Sequence, residues 1–364
     1  MSGPAPRPGI LSISPYVGGG HSVDGVSDVA VLSANETPLG PSPEAVSAYT
    51  DMAKELHRYP DGDAYELRHA IGERFRCDPD NIVCGAGSDE LIALLVKSYA
   101  GPGDEVLYSR HGFLMYPISA QSAGATPVAA AEANYTTDVD AMLSKVTDRT
   151  RMVFIANPNN PTGSYISSDE MRRLRDGLRD DILLVIDSAY AEYVTRNDYA
   201  AGSEMVEAGD NVVMLRTFSK IFGLAALRLG WAYCPPKIAG VLHRVRGPFN
   251  VGAATQAAGV AAMRDLAHTD RSREHNDIWL PWLTEALSEI GLTIHPSVGN
   301  FILVRFEDTA TADAANAAMA SDGLVVRAMG GYGLPECLRI TIGLESENKR
   351  VVASLKHFLA ETGA

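Results

Sequence analysis

The chain has 364 residues, enough for one large or two ordinary domains, and 46% of them are hydrophobic, so it can bury a full core. Asp and Glu number 45 against 31 Lys and Arg, a formal charge of -14. That balance argues against general binding of nucleic acid or anionic membrane, both of which need a basic face.

No apolar run is long enough to cross a bilayer, and the Pro-rich start, Met1 to Pro8, lacks the apolar core of a signal peptide. Cys77, Cys84, Cys234 and Cys337 are too scattered for a zinc knuckle or a redox pair, so no metal is expected. Such thiols fit a reducing cytoplasm better than a disulfide scaffold.

Residues 1–34 read as a flexible start and an arm, with Gly18-Gly19-Gly20 as a hinge because no strand and helix frame it. Asn35 to Pro43 is turn-rich, and Ser42-Pro43-Glu44 opens a helix to about Leu56, Ser as cap and Pro at the first position. His57 to Gly62 is a loop, and Asp63 begins a helix through about Phe75. Ile82-Val83-Cys84 is a short buried strand. Gly85 to Glu90 then turns into a helix from Leu91 to Tyr99, placing free backbone amides where an anion can bind, although a lone Gly-x-Gly is weak evidence.

Further strands are predicted at Glu105 to Tyr108 and Thr126 to Val128, with helices at Phe113 to Ala123, Val139 to Val146 and Ser168 to Leu178. Arg151 to Ala156, Ile182 to Ile186 and Val212 to Leu215 are near-continuous apolar runs, the mark of strands buried on both faces. Leu229 to Tyr233 is a fourth such strand. The alternation predicts an α/β fold: a large domain, residues 35–270, with a mostly parallel central sheet flanked by helices. Ala253 to Ala267 is an Ala-rich helix, and Asp270 to Ile290 a long one, broken or bent at Pro281. Residues 271–364 then read as a smaller α+β C-terminal domain. Its strands are Asn300 to Val304, Leu324 to Val326 and Leu338 to Ile342, and its helices Ala312 to Met319 and Glu347 to Leu359.

In open parallel sheets, ligands collect at the carboxyl ends of the strands. Asn160, Asp187 and Lys220 each follow such an end. Lysines are ordinarily solvated, but Lys220 sits in Thr217-Phe218-Ser219-Lys220, directly before Ile221-Phe222-Gly223-Leu224. Desolvation disfavours the ammonium form, and a neutral amine attacks carbonyls to form Schiff bases. Arg228, Ser219, Thr217 and the amides near Ser88 and Asp89 could grip an anion beside it. An aldehyde carrying a phosphate satisfies both features, and pyridoxal 5'-phosphate is the obvious one. Asp187 could pair with a protonated pyridine nitrogen; on position alone it reads equally as a cap or turn residue. Tyr190 and Asn160 could meet the ring's 3-oxygen, although core packing and an Asx-turn are their ordinary readings. Arg339, inside the apolar run Leu338-Arg339-Ile340, needs an anionic partner, either a substrate or an internal carboxylate.

With these residues in view, the chain resembles the fold-type I, aspartate-aminotransferase-like class of pyridoxal phosphate enzymes. Within it, the likeness is to the histidinol-phosphate aminotransferase family. The stretches that carry it are Asn35 to Pro43, Arg58 to Gly62, Gly87 to Glu90, Ala156 to Gly163, Asp187 to Val194, Leu215 to Leu229, Arg246 to Asn250, Pro296 to Phe301 and Tyr332 to Gly343. The resemblance implies that Lys220 carries the cofactor, Asp187 pairs with its ring nitrogen, Tyr190 and Asn160 meet its 3-oxygen, and Phe113 stacks on its ring in place of a more usual tyrosine. It implies that Tyr59 reaches the phosphate of the neighbouring subunit's cofactor, hence a homodimer with shared sites. Tyr16, Asn160, Arg327 and Arg339 are implied as substrate contacts. Ser188, where glutamate or alanine is common, and Gly18-Gly19-Gly20-His21 in the arm depart from the family pattern.

The implied reaction is a two-stroke amino transfer between histidinol phosphate and 2-oxoglutarate, as in histidine biosynthesis, through a Schiff base on Lys220. The freed lysine acts as general base, and Arg339 with Arg327 receives phosphate in one half-reaction and carboxylate in the other. The rival expectations are a broad aromatic aminotransferase and a phospho-amino-acid decarboxylase on the same scaffold. A third, a cofactor-sensing module of a DNA-binding regulator, is disfavoured by the acidic balance and the lack of a leading helix-turn-helix pattern.

Overall fold

The computed structural model describes residues 3–362. A seven-stranded sheet forms its centre: β1 (Ile82–Gly85), β2 (Glu105–Ser109), β3 (Thr126–Ala130), β4 (Thr150–Ala156), β5 (Leu183–Asp187), β6 (Val212–Thr217) and β7 (Gly230–Tyr233). Their spatial order is β1-β7-β6-β5-β4-β2-β3. β7 pairs antiparallel to both β1 and β6, and every other pair is parallel. Six strands therefore point one way and β7 the other, which is the mostly parallel sheet the alternation predicts.

The apolar runs are explained by burial on both faces. In β4, Val153 and Ile155 enter one core cluster, and Met152, Phe154 and Ala156 the opposite one. Leu184 and Ile186 of β5 likewise face away from Leu183 and Val185. Side chains alternate along a strand, so a strand with helices on both sides has no polar face to show.

A smaller antiparallel sheet follows in the chain, built from β8 (Thr293–His295), β9 (Phe301–Arg305), β10 (Arg327–Ala328) and β11 (Cys337–Thr341) in the order β8-β9-β11-β10. It packs with the helices Thr309–Ser321 and Glu345–Thr362 around its own core, which includes Ile302, Val304, Leu338 and Ile340. Part of the arm joins this unit: Ala30–Val31 pairs in parallel with Leu324–Val325.

Several boundaries differ from the sequence expectation, each for a local reason. The helix Pro43–Asp51 is capped by Ser42, whose Oγ accepts from the amides of Glu44 and Ala45; a short 3-10 turn to Glu55 completes the expected span. The next helix is Tyr65–Phe75 rather than one from Asp63, because Asp61 binds the amides of Asp63 and Tyr65 while Ala64 takes a left-handed φ of 48°. The long helix is Leu266–Glu289; Asp265 caps it through the His268 amide, and it continues through Pro281 as one element. Ser42 Oγ also donates to Asp265 Oδ2 at 2.6 Å, so the two helix starts are joined. The helix Pro236–Val245 has no counterpart in the sequence reading; Pro235 is its cap and Pro236 its first residue. Among the described residues, no helix is long and apolar enough to cross a membrane, and no group of His, Cys, Asp and Glu is placed to hold a metal.

Candidate active site

One edge of the large sheet gathers the polar residues. Asp187 closes β5, Asn160 lies four residues past β4, and Lys220 three past β6. Ser88 and Asp89 begin the helix Ser88–Tyr99 just after β1. Arg228 comes before β7, and because β7 runs against its neighbours, its start lies at the same edge as their ends; Gly230 pairs with Thr217 and Gly85. These residues line one cavity of about 240 Å³.

Asp187 is buried in it and Lys220 is half-buried. Lys220 Nζ donates to the Ala34 carbonyl at 2.8 Å and lies 5.6 Å from the centre of the Tyr190 ring. Burial lowers its pKa to about 7, and the nearby positive charge of Arg339 acts in the same sense. Burial pushes the Asp187 carboxyl up to about 6, against the hydrogen bond that Tyr116 donates to Oδ2 at 2.8 Å. The other oxygen, Oδ1, is buried with no hydrogen-bond partner. An orphaned carboxylate oxygen is costly unless something else satisfies it. Tyr190 is also buried, and its hydroxyl accepts from Asn35 Nδ2 at 2.9 Å.

A second cluster is built to meet an anion. Arg228 Nη1 donates to Ser219 Oγ at 3.2 Å and the Ala225 carbonyl at 3.0 Å, and Nη2 to Asp89 Oδ2 at 3.0 Å. Thr217 Oγ1 accepts from the Ser219 amide at 3.1 Å. The first-turn amides of Ser88–Tyr99 have no intrahelical acceptor, and the helix dipole is positive there. Two glycines keep the cradle open. A Cβ at Gly87, which has φ 83°, would meet Arg228 Nη2 at 2.5 Å, and one at Gly230 would meet the Ser88 amide nitrogen at 2.4 Å.

At the far side, Arg339 is buried on β11. Its guanidinium donates to Asn160 Oδ1 and to the Ser33 carbonyl, and Nε has no partner. Among the described residues, no carboxylate forms an ion pair with it; its contacts are neutral oxygens. A buried guanidinium without a counter-ion is strongly disfavoured, so the charge of Arg339 is left without an internal carboxylate among the described residues. Arg327 stands 5.8 Å from the centre of the Tyr16 ring and donates to the Val17 carbonyl. Tyr16 meets Phe113 edge-on, with ring centres 6.2 Å apart.

Tyr59 lies outside this cavity. It is 82% exposed and stacks on Phe249, with ring centres 4.7 Å apart. Three contributors escaped the sequence reading. Asn35 holds the Tyr190 hydroxyl, Tyr116 holds Asp187, and the Ala34 carbonyl receives the lysine. Each meets a residue 71 to 186 positions away, so local pattern carries no signal for the pairing.

The half-buried amine, the orphaned carboxylate oxygen and the glycine-lined anion cradle suit pyridoxal phosphate: an aldehyde for Lys220, a pyridine N–H for Asp187 Oδ1, and a phosphate for Arg228. Fold and site together define a phosphopyridoxal enzyme of the α/β type. The chain belongs to the class I and II aminotransferase family, which matches residues 27–355. It is 61% identical to the histidinol-phosphate aminotransferase of Paramagnetospirillum magneticum and 58% identical to that of Rhodospirillum centenum, each over 99% of both chains. Among solved structures, it is similar to the histidinol-phosphate aminotransferase of Sinorhizobium meliloti in complex with pyridoxal-5'-phosphate. There the TM-score is 0.90 and the identity 26%, over 98% of each chain.

Proposed function

We propose that this protein is a histidinol-phosphate aminotransferase. It moves an amino group between L-histidinol phosphate and 2-oxoglutarate in histidine biosynthesis, with pyridoxal 5'-phosphate bound at Lys220. The observation that carries this reading is one cavity lined by a half-buried amine of lowered pKa, a buried carboxylate with an unpartnered oxygen, and a buried arginine that has no carboxylate partner among the described residues. Bound there, pyridoxal phosphate supplies an aldehyde carbon that takes up an amine and a cationic ring that draws electrons from the adjoining carbon.

The chain's own residues supply the rest. Asp187 holds the ring nitrogen protonated, Tyr190 and Asn160 address the ring's 3-oxygen, and Phe113 covers a ring face. Thr217, Ser219, Arg228 and the amides of Ser88 and Asp89 hold the phosphate. Lys220, its pKa lowered to about 7, can give up and take back a proton near neutral pH and is suited to move one at the substrate α-carbon. Arg339, with Arg327 and Tyr16, binds the substrate's anion; a guanidinium fork fits phosphate and carboxylate alike.

We keep within this proposal the division into an arm (1–34), a cofactor-holding unit (35–270) and a smaller unit (271–364). The four free, buried cysteines fit a reducing cytoplasm.

The test is a half-reaction panel. Purified holoenzyme is mixed separately with histidinol phosphate, phenylalanine, tyrosine and phosphothreonine while the cofactor's absorption is followed. Histidinol phosphate is expected to convert the cofactor fastest. Fast reaction with phenylalanine and none with histidinol phosphate makes it an aromatic aminotransferase, and carbon dioxide release from the phospho-amino acid makes it a decarboxylase.

The homodimer belongs to the same proposal. Val46, Tyr49, Leu56, Tyr59 and Phe249 are large apolar residues left exposed on one chain, and Tyr59 and Phe249 stack on each other there. Sedimentation equilibrium is expected to give twice the chain mass. A monomer at micromolar concentration would remove Tyr59 from the site.

A further inference from the structure

The cavity is lined by three carboxylates, Glu36, Asp89 and Asp187. Asp89 is held by Arg228 at 3.0 Å. Asp187 is buried, with one oxygen on Tyr116 and the other without a hydrogen-bond partner. Glu36 alone makes no side-chain hydrogen bond or ion pair to any described residue, and it is exposed at the cavity wall.

Its backbone is nevertheless fixed by side chains of the smaller sheet and the turn before it. Asn300 Nδ2 donates to the carbonyls of Asn35 at 3.0 Å and Glu36 at 3.3 Å. The Asn35 amide donates to Thr341 Oγ1 at 3.0 Å, two residues along β11 from Arg339. Asn35 itself has a left-handed φ of 55°, which kinks the chain between the Ala34 carbonyl that receives Lys220 and the start of Glu36. A side chain with no structural partner on so constrained a backbone is available to a ligand. Glu36 is also close enough to Lys220 to favour its charged form.

The charges divide the cavity. Arg339 and Arg327 form a cationic pole without a carboxylate of their own, and Glu36 is the one uncommitted anion. A ligand matching both carries an anionic group at one end and an N–H donor or cation at the other. A phosphate ester bearing an imidazole has that form; a phenyl ring offers Glu36 nothing. We infer that Glu36 is a specificity-determining residue that receives the imidazole N–H of the amino donor. This rests on histidinol phosphate being the donor. It has a consequence for the second substrate: glutamate brings a second carboxylate into the same cavity, and Glu36 repels it. Neutralising Glu36 therefore moves the two substrates in opposite directions, which neither a general folding defect nor a change in Lys220 basicity can do.

The experiment measures both half-reactions separately, by cofactor absorption, in wild-type, Glu36→Gln and Glu36→Asp holoenzymes. Wild-type reaction with histidinol phosphate is read first; its absence overturns the donor assignment, and this inference with it. Given that reaction, Glu36→Gln is expected to raise the KM for histidinol phosphate about tenfold, the worth of a charge-assisted over a neutral hydrogen bond, and to lower the KM for glutamate. Glu36→Asp is expected to restore part of the preference. An unchanged KM for histidinol phosphate, or an equal slowing of both half-reactions, overturns the inference and leaves the donor assignment standing.

Discussion

Replacing Lys220 by alanine is expected to abolish turnover together with the absorption of the lysine-bound cofactor. Two losses combine. The covalent hold on the cofactor disappears, and with it the general base, a contribution worth roughly 10²- to 10⁴-fold by itself. Lys220 is the one lysine among the described residues lining the cavity, so no neighbour can substitute. Lys220→Arg is expected to fail equally, because a guanidinium keeps the charge and cannot be deprotonated. Stability separates this from misfolding. The pKa of Lys220 is depressed to about 7 from an ordinary 10.5, so between those values the unfolded chain binds more protons than the folded one. Wild-type apoprotein therefore gains stability from this group as pH rises from about 7 to 10.5, and carries the full penalty below 7. Lys220→Ala apoprotein should melt above wild type below pH 7, with the gap closing toward pH 10.5. A variant that keeps turnover and absorption refutes the assignment of the amine.

The fold was legible where burial leaves a local trace. Met152 to Ala156, Leu183 to Ile186 and Val212 to Leu215 are apolar without alternation because both their faces are covered, and their polar successors mark the ligand edge. Ser42-Pro43 announced a cap that is there. Strand direction was not legible. Nothing in Gly230-Trp231-Ala232-Tyr233 says that it runs against its neighbours, yet that reversal is what delivers Arg228 to the edge where Lys220 and Ser88 lie. The partner of Arg339 was equally hidden, since excluding an internal carboxylate requires knowing every neighbour. Asn35, Tyr116 and Glu36 belong to the same class. As single letters they are a turn residue, a core aromatic and a surface acid, and only tertiary contact or its absence gives them meaning. The helix Pro236–Val245 is absent from the sequence reading, and its local signal is ambiguous: prolines that open a helix look the same as prolines that prevent one.

Asp187→Asn is expected to lower turnover by about two to three orders of magnitude, as for other preorganised electrostatic groups, while making the apoprotein more stable at neutral pH. Burial raises the Asp187 carboxyl to about 6 from 3.8. The folded chain thus binds more protons than the unfolded one between those values, and apoprotein stability falls as pH rises from about 4 through 6. Above 6 the buried charge stands as a penalty on the order of 2–3 kcal/mol, from about two units at 1.36 kcal/mol each. Asparagine removes that charge, and its oxygen can still accept from Tyr116 in place of Oδ2. The apo variant should therefore melt above wild type at pH 7 to 8 and lose that advantage near pH 4. A cap or turn aspartate behaves the other way: its neutralisation weakens the fold at neutral pH, where the carboxylate accepts its amides most strongly. Lower apoprotein stability at pH 7 would thus return Asp187 to a structural role. Higher stability with lost turnover identifies a carboxylate held at a cost to the fold for the sake of the ring nitrogen it faces.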